Sequence, residues 1–197
     1  MYTHVKRILD ALIAALALAA LSPLMLALAL IVKVTSPGPV LFRQKRVGLN
    51  KTHFMIYKFR TMRTDAPKDK PTHMLKDPAA FITPVGAFLR HSSLDELPQL
   101  INILRGEMAL VGPRPALWNQ YDLIAERDRY GANAVRPGLT GWAQVNGRDE
   151  LSIDVKVRYD GEYVQNMSLL FDIKCLVRTV SRVARGSGVV EGEQNGK

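Results

Sequence analysis

Apolar residues are spread unevenly along this chain of 197 residues, and their longest run lies near the N-terminus. The 22 residues from Ala11 to Val32 carry no charge and are interrupted only by Ser22 and Pro23. A run of this length can cross a hydrocarbon core of roughly 30 Å, and it exceeds the roughly 7–15 apolar residues of a signal peptide. A helix that is apolar on all sides also favours lipid over the core of a soluble protein, so the pattern predicts a membrane helix.

The charges beside this helix do not fix how it lies in the membrane. Lys6 and Arg7 precede the apolar run and Lys33 follows it, so both ends are basic and the positive-inside rule gives no clean orientation. Pro23 removes one helical hydrogen bond and predicts a kink, while Ser22 can bond back to a freed carbonyl. The residues are compatible with a spanning helix and with a re-entrant helix that bends at Ser22-Pro23 and returns to the same face.

Shorter hydrophobic patterns follow the membrane helix. Residues 35–50 contain the prolines and glycines of a turn-rich linker, and residues 54–62 alternate as in a short strand that places Lys58 and Arg60 on one side. Residues 64–80 are polar and rich in proline, which predicts a loop. This part of the chain is therefore expected to contribute short β segments between turns and loops.

The second half of the chain carries helical patterns. Apolar stripes predict helices at residues 96–105, 116–131 and 169–185, whereas residues 137–148 are predicted to form a loop. In the last of these helices, basic residues recur at steps of four on another face, which suits a helix that lies on an anionic membrane surface. The polar tail at 186–197 is predicted to be mobile.

Charge is distributed as unevenly as hydrophobicity. The chain has 27 lysines and arginines against 18 acidic residues, and no acidic residue lies between Asp10 and Asp65. A basic surface of this kind binds phosphate, nucleic acid or anionic lipid. The single cysteine, Cys175, excludes an internal disulfide, and the four histidines lack metal-ligand spacing.

The stretch HSSLDELPQL at residues 91–100 contains two adjacent carboxylates, Asp95 and Glu96. A capping box from Ser93 would place Pro98 where a helical N–H is needed, so the spacing predicts a helix that begins at Asp95–Glu96. The positive end of that helix is expected to keep Asp95 ionised, with a lowered pKa, beside a site for phosphate. A carboxylate in that setting is a candidate nucleophile toward phosphorus, and two acidic groups beside a diphosphate invite Mg²⁺. A helix cap and an active site are both compatible with these residues.

A set of blocks recurs in a fixed order behind the apolar leader. The blocks are KRILD (6–10), SP (22–23), SPGPVLFRQKRVG (36–48), YKFRTM (57–62), LRHSSLDELPQLINILRGEM (89–108), LVGPRP (110–115), RPGLTGWAQVNGR (136–148) and YDGEYVQNMSLLFDIK (159–174). Together they resemble the small monotopic phosphoglycosyl transferases of bacteria, also called the bacterial sugar transferase family. The resemblance runs from about Lys6 to about Val190 and rests on the whole set rather than on any single block.

The resemblance implies a mainly α fold with short β segments. In this fold, a re-entrant membrane helix at residues 1–35, hinged at Ser22-Pro23, precedes a compact catalytic domain at residues 36–185 that has interfacial amphipathic helices around it. The family also implies the bacterial inner membrane as the location, with the catalytic domain on the cytoplasmic face. Membrane phospholipid is therefore an expected partner, no nucleic acid partner is expected, and a homodimer is left open.

The activity implied by the resemblance is transfer of a sugar-1-phosphate from a UDP-sugar to a polyprenyl phosphate, usually undecaprenyl phosphate, with release of UMP. This is the first membrane step in the synthesis of glycoconjugates such as capsule, O-antigen, exopolysaccharide or glycoprotein glycans. The aspartate of the family's Asp-Glu pair matches Asp95; it attacks the β-phosphorus and forms a covalent phosphosugar, which the lipid phosphate then takes in a ping-pong mechanism. Glu96 matches the glutamate of the pair, which assists proton removal or helps Asp95 to hold Mg²⁺.

The resemblance also implies binding residues and a substrate class. The residues that match family blocks near the phosphates and the nucleotide are Lys58, Arg60, Arg90, Arg114, Arg136, Gln144, Arg148 and Asp160. The stretches GPRPALWNQYDLI and RDELSIDVKVRYD are closest to capsule-type priming enzymes that use UDP-N-acetyl-6-deoxyhexoses, with N-acetylfucosamine or diacetamido-bacillosamine as sugars. Plain N-acetylhexosamine or hexose is the alternative.

Two other classes of function stay open from the residues alone. A non-enzymatic membrane-anchored module could bind anionic lipid or nucleic acid through residues 43–63; its binding would fall steeply with salt and would not depend on Asp95. A glycosyl transferase that breaks the sugar–phosphate bond would release UDP, whereas the favoured enzyme releases UMP. The leaving nucleotide therefore separates the two enzymes.

Overall fold

Helices dominate the computed structural model, which describes residues 2–69, 75, 77–147 and 151–185. In chain order its helices are α1 (Tyr2–Thr35), α2 (Pro84–His91), α3 (Gln99–Arg105), α4 (Tyr121–Asp128), α5 (Trp142–Asn146), α6 (Ile153–Gln165) and α7 (Leu169–Arg185). Its strands are β1 (Leu41–Val47), β2 (His53–Phe59), β3 (Ala109–Val111) and β4 (Gly138–Thr140). The prediction of a mainly α fold with short β segments is confirmed. Arg148 and the predicted mobile tail at 186–197 lie outside the described residues.

Helix α1 continues through Pro23, and its two halves pack against the same domain. Ser22 Oγ donates at 2.9 Å to the carbonyl oxygen of Ala19, the carbonyl that Pro23 leaves without its helical donor. Before Pro23, Ala14 is buried in the main core cluster, and after it Leu28 is buried in a second cluster. The domain therefore contacts the apolar helix on both sides of the proline.

The outer face of α1 exposes a row of large apolar side chains. These exposed residues are Val5, Ile8, Leu12, Ile13, Leu16, Leu24, Leu26, Leu30, Ile31 and Val34. The helix is also long and apolar enough to cross a membrane, by length and composition. Apolar surface of this extent on the outside of a folded domain is typical of a surface that contacts lipid, so the structure supports association with a membrane.

Polar contacts hold both ends of α1 to the domain. Near its start, Lys6 Nζ lies 2.6 Å from Asp172 of α7 and 3.2 Å from Asp10, and all three residues are buried. Just beyond its end, Arg60 donates to the carbonyl oxygen of Ser36 at 2.8 Å. Cations near the two ends of the helix therefore bind partners inside the protein, where they fix the helix against the rest of the domain.

Strands β1 and β2 form an antiparallel hairpin. The register pairs Leu41 with Phe59 and ends at Val47, beside the turn. The predicted turn-rich linker at 35–50 is therefore wrong for its second half, which is β1. Its prolines end before the strand begins, and its burial does not alternate, because Gln44 and Val47 lie on opposite faces of the strand and are both buried.

The second sheet brings two glycine-containing segments into close contact. Strands β3 and β4 are parallel, with Ala109 opposite Gly138. The amide of Gly138 donates to the carbonyl oxygen of Pro113 at 2.9 Å, and a Cβ added to Gly138 would lie 2.1 Å from the nitrogen of Gly112. The predicted loop at 137–148 is therefore wrong, because backbone pairing rather than a hydrophobic pattern builds β4, and α5 follows it directly.

The remaining helices agree with the predicted pattern in part. Helix α4 covers only the middle of the predicted helix at 116–131, and α6 lies where the pattern predicts no helix. Helix α7 spans the predicted range 169–185, with Cys175 fully buried and with Leu170 and Val177 exposed. It therefore presents an apolar face outward, as expected of a helix at a membrane surface. The basic residues predicted to meet an anionic surface, Lys174, Arg178 and Arg182, instead contact α5.

The close approach of Gly138 to Gly112 predicts a large cost for a side chain at Gly138. We expect Gly138→Ala to lower the free energy of unfolding by about 3 kcal/mol, since the added methyl group meets backbone atoms that cannot rotate away. Gly131→Ala is the matched control, because Gly131 has a left-handed φ of 68° but no atom within 4 Å of an added Cβ, so about 1 kcal/mol is expected. Chemical unfolding in detergent, followed by circular dichroism, measures both losses, and equal losses would contradict the close approach.

Candidate active site

Asp95 and Glu96 lie in a short 3-10 turn between α2 and α3. Ser93, just before the turn, has a left-handed φ of 58°, and its side chain makes no capping hydrogen bond. Helix α3 begins only at Gln99, after Pro98. The absence of a capping box at Ser93 agrees with the prediction. The predicted helix start at Asp95–Glu96 is wrong, because the turn before Pro98 closes with hydrogen bonds over three residues and not four.

One oxygen of Glu96 joins two cations to the carboxylate pair. Glu96 Oε1 accepts from Lys58 Nζ at 2.7 Å and from Arg114 Nη2 at 2.9 Å. Lys58 Nζ also lies 4.0 Å from Asp95 Oδ2, which is an ion-pair distance but too long for a hydrogen bond. Lys58 belongs to β2 and Arg114 follows β3, so the cluster joins three distant parts of the chain.

Burial governs the charge states of this cluster. Asp95 and Glu96 are only 7% and 8% exposed, and burial raises the pKa of Asp95, while Lys58 opposes that shift. The predicted lowering of this pKa is therefore wrong, because Asp95 lies in a buried turn and not at an exposed helix start. Burial likewise lowers the pKa of Lys58, against the attraction of Glu96 and Asp95. Each charge is thus maintained by its neighbours, and removal of one changes the others.

Asp95 lines a basic cavity of about 620 Å³. The walls of the cavity come from the β1–β2 hairpin, the segment after β2, and α2. Its basic lining residues are Arg43, Arg46, Lys58, Arg60, Arg63, Lys68 and Arg90. Among the residues that the structure describes, Asp95 is the only acidic one in this lining. The volume is typical of a small-molecule site, and the cations suit a ligand with several phosphate oxygens.

The structure brings six of the predicted site residues to this region. Besides Asp95, Glu96, Lys58 and Arg114, these are Arg60 and Arg90, which line the cavity. The positive charge of Arg90 lowers the pKa of Asp95, against the larger effect of burial. Arg60 contributes to the wall of the cavity while its guanidinium holds the backbone just beyond α1. The cavity is therefore joined to the membrane helix through one buried side chain.

Other predicted binding residues lie away from the cavity lining. Arg136 and Gln144 each donate to a backbone carbonyl oxygen, at 2.8 and 3.1 Å, and Asp160 is buried in an ion pair with Arg127 at 2.7 Å. Arg148 lies outside the described residues. The assignment of these four residues to substrate binding stays a prediction.

Sequence reasoning missed two kinds of residue in this region. Arg43 and Arg46 line the cavity from β1; the run RQKR indicates a basic surface, but only the strand shows which side chains reach the cavity. Arg127 has no local signal at all, because its importance lies in contacts with residues far along the chain.

A metal ion at this site would need oxygen atoms from a bound phosphate group in addition to the protein side chains. Within the described residues, no group of three or more His, Cys, Asp or Glu side chains could hold a metal ion. Asp95 and Glu96 nevertheless provide adjacent carboxylates, and Mg²⁺ usually binds one or two carboxylates together with phosphate oxygens of a substrate. The residues present therefore fit a magnesium ion that a bound phosphate group helps to hold.

Comparison with known families identifies the class of protein that this fold and site represent. The model of the bacterial sugar transferase family matches residues 1–186, a range that includes every element described above. The chain belongs to the bacterial sugar transferase family. This confirms the resemblance found in the sequence, and the family is named as one of transferase enzymes.

Curated relatives match the chain over most of its length but differ in their own length. The UDP-glucose:undecaprenyl-phosphate glucose-1-phosphate transferase of Xanthomonas campestris pv. campestris is 43% identical, over 90% of this chain and 38% of its own. The UDP-N-acetylgalactosamine-undecaprenyl-phosphate N-acetylgalactosaminephosphotransferase of Aeromonas hydrophila is 38% identical, over 95% of this chain and 45% of its own. Exopolysaccharide production protein ExoY of Sinorhizobium fredii is 40% identical, over 93% and 87%. The chain thus spans less than half of two relatives and most of the third.

The position of Lys58 beside both carboxylates predicts a specific loss of activity when its charge is removed. We expect Lys58→Met to slow sugar transfer by about 10²-fold or more, since Asp95 and Glu96 lose a buried cation. Lys45→Met is the matched control on the same hairpin: Lys45 is exposed, lies over the ring of Trp118 and is expected to be dispensable. Initial rates of the purified proteins in detergent compare the two, and equal losses would attribute the effect to the hairpin rather than to the site.

Proposed function

We propose that the protein transfers a sugar-1-phosphate from a UDP-sugar to undecaprenyl phosphate and releases UMP. The observation that carries this proposal is Asp95, the one acidic side chain on the described lining of a basic cavity. Two relatives named for transfer of glucose-1-phosphate or of N-acetylgalactosamine phosphate to undecaprenyl phosphate support both substrates. ExoY, which this chain nearly matches in length, is named for exopolysaccharide production and supports a place in polysaccharide synthesis.

The proposed reaction has two steps at one carboxylate. In the first step, an oxygen of Asp95 attacks the β-phosphorus of the UDP-sugar, the bond from that phosphorus to the bridging oxygen breaks, and UMP leaves with that oxygen. In the second step, a phosphate oxygen of undecaprenyl phosphate attacks the same phosphorus and releases the Asp95 carboxylate. The lipid then carries the sugar through a diphosphate. Two bulky anions therefore use the cavity one after the other, not together.

Asp95 and Glu96 have different roles in this proposal. Glu96 Oε1 accepts from Lys58 and Arg114, so Glu96 holds these two cations beside the reacting phosphate groups. Asp95 lines the cavity and lies 4.0 Å from Lys58 Nζ, which leaves it placed to reach a ligand. The cations stabilise negative charge on the phosphoryl oxygens, and they offset the burial that raises the pKa of Asp95.

The proposal includes Mg²⁺, held by Asp95 and Glu96 together with oxygens of the diphosphate. The support is the donor set, because adjacent carboxylates beside phosphate oxygens are the ligands that Mg²⁺ takes in sites of this kind. When bound, the ion supplies positive charge that reduces repulsion between the diphosphate and the carboxylate pair.

The contacts of α1 favour a re-entrant helix over a spanning one. Ala14, before Pro23, and Leu28, after it, pack against the same domain. Ala14 and Leu28 are roughly 21 Å apart along a helix, so a spanning helix would place both contacts, and the domain that makes them, inside a hydrocarbon core of roughly 30 Å. The proposal therefore has α1 enter and leave the inner membrane on its cytoplasmic face, hinged at Ser22-Pro23.

Cysteine labelling on intact cells tests this topology. In a Cys175→Ser background, Thr3→Cys is expected to resist an impermeant thiol reagent until the cells are permeabilised. Adding Pro23→Ala is expected to straighten α1 and to expose the same cysteine to the reagent. Labelling of Thr3→Cys from outside with Pro23 intact would show that α1 spans the membrane.

Intact-protein mass spectrometry tests the covalent step. Wild-type protein incubated with UDP-sugar alone is expected to gain the mass of a phosphosugar on Asp95 and to release UMP. Asp95→Asn is expected to form no adduct, because a neutral amide is a poor nucleophile. Asp122→Asn, at an exposed position of α4, is the control and is expected to react as wild type. Release of UDP, or an adduct on another residue, would contradict the proposal.

Two further arms of this experiment address the metal and the sugar. With a chelator present, no adduct is expected; a normal amount of adduct would show that Mg²⁺ does not serve the first step.

UDP-glucose, UDP-N-acetylgalactosamine and a UDP-N-acetyl-6-deoxyhexose are compared as donors. The names of the relatives favour the first two sugars, and the resemblance predicts the third, so the fastest adduct identifies the substrate class.

A further inference from the structure

Arg127 of α4 and Asp160 of α6 form a buried ion pair that is not part of the cavity lining. Arg127 Nε and Nη2 donate to Asp160 Oδ2 at 2.9 and 2.7 Å, and both side chains are almost fully buried. The other terminal nitrogen, Nη1, donates to the backbone carbonyl oxygen of Arg114 at 2.9 Å. Arg127 therefore uses its planar fork to connect a buried carboxylate to the backbone of a residue in the charged cluster.

The segment that presents Arg114 is held through its carbonyl groups. Pro113 and Pro115 flank Arg114 and have no N–H with which to donate. The carbonyl oxygens of residues 113, 115 and 116 each accept a hydrogen bond of 2.9 Å, the first from β4 and the other two from β1. The carbonyl of Arg114, in the middle of this run, is the one that Arg127 holds. Four consecutive carbonyls thus fix the backbone on which Arg114 stands.

We propose that Arg127 is a positioning residue for Arg114, and that Asp160 orients Arg127 for this role. Fixing the carbonyl of Arg114 fixes the rotation of its peptide unit and so directs its guanidinium, whose Nη2 lies 2.9 Å from Glu96 Oε1. Neither Arg127 nor Asp160 lines the cavity, so the proposal gives Asp160 an indirect role in place of the predicted substrate contact. The effect of this positioning on catalysis rests on the proposed function.

A purely structural ion pair between α4 and α6 is the competing explanation. Both explanations predict a loss of stability when the pair is broken, because an unpaired buried charge is costly. They differ once the Arg114 side chain is absent. A positioning residue then has nothing left to position, whereas a structural residue still affects the folded enzyme independently.

A double-mutant cycle separates the two explanations. Arg127→Lys keeps a cation beside Asp160 but lacks the fork that also reaches the carbonyl of Arg114. Initial rates of UDP-sugar consumption with undecaprenyl phosphate are measured on the chain of 197 residues, with Arg114 intact and in Arg114→Met. We expect Arg127→Lys to slow the reaction by about 10²-fold when Arg114 is present. In Arg114→Met, we expect a further change of less than about twofold.

Arg7→Lys is the matched control for this cycle. Arg7 also donates to backbone carbonyl oxygens, at 2.7 and 2.8 Å, but these belong to Ile103 and Leu104 at the end of α3. It is expected to change the rate by the same factor with and without the Arg114 side chain. The same cycle is repeated with Asp160→Asn, which removes the charge of the ion-pair partner of Arg127. The unfolding temperature of each variant identifies any variant that does not fold.

Three outcomes would overturn the positioning role. They are an equal fractional loss in both Arg114 backgrounds, a wild-type rate in Arg127→Lys, and a wild-type rate in Arg114→Met. Consumption of UDP-sugar is counted whether UMP or UDP leaves, so failure of the proposed function is seen separately, as release of UDP. Calorimetry on the same variants measures their affinity for UDP and so repeats the cycle without turnover. We expect Arg127→Lys to weaken UDP binding when Arg114 is present and to have little further effect in Arg114→Met.

Discussion

The charged cluster of Asp95, Glu96, Lys58 and Arg114 is the interaction on which the active site depends. Carboxylates withdrawn from water lose hydration and repel each other, so a buried pair persists only with cations at close range. Here the cations come from β2 and from the segment after β3, at 2.7 and 2.9 Å from one oxygen of Glu96. The hairpin, the 3-10 turn and the second sheet must therefore all be in place before the charges balance. Formation of the site is thus a result of tertiary folding and not of any local motif.

The apolar helix is part of this architecture and not an appendage to it. Its first half contributes Ala14 to the main core cluster, and its second half contributes Leu28 to another. Arg60 lines the cavity and also donates to the carbonyl oxygen of Ser36, just beyond the helix. Direct contacts, and not a linker, therefore set the distance from the apolar helix to the cavity that Asp95 lines. In the proposed reaction the acceptor is also anchored in lipid, and a fixed distance reduces the entropy lost when the two reactants meet.

Features with a local signal were predictable from the sequence, and features that depend on distant partners were not. The apolar run of α1, the amphipathic pattern of α7 and the Asp-Glu pair each lie within a short window of residues. Strand β1 becomes recognisable only beside β2, since prolines precede it and its buried residues do not alternate. The pKa of Asp95 shifts opposite to the local expectation, because burial by remote elements outweighs a helix that begins only at Gln99. Asp160 matches a family block, but its partner Arg127 is 33 residues away and belongs to no motif.

The contact between Gly112 and Gly138 makes two separate stretches of sequence behave as one piece. A Cβ on Gly138 would meet the backbone of Gly112. The backbone around Gly112 therefore packs only against a segment around Gly138 that follows the same path. A chimaera with its crossover between residues 115 and 136 would take the two stretches from different parents, so their backbones would not be matched for this close contact. A graft of either stretch from a relative would therefore have to bring both stretches together.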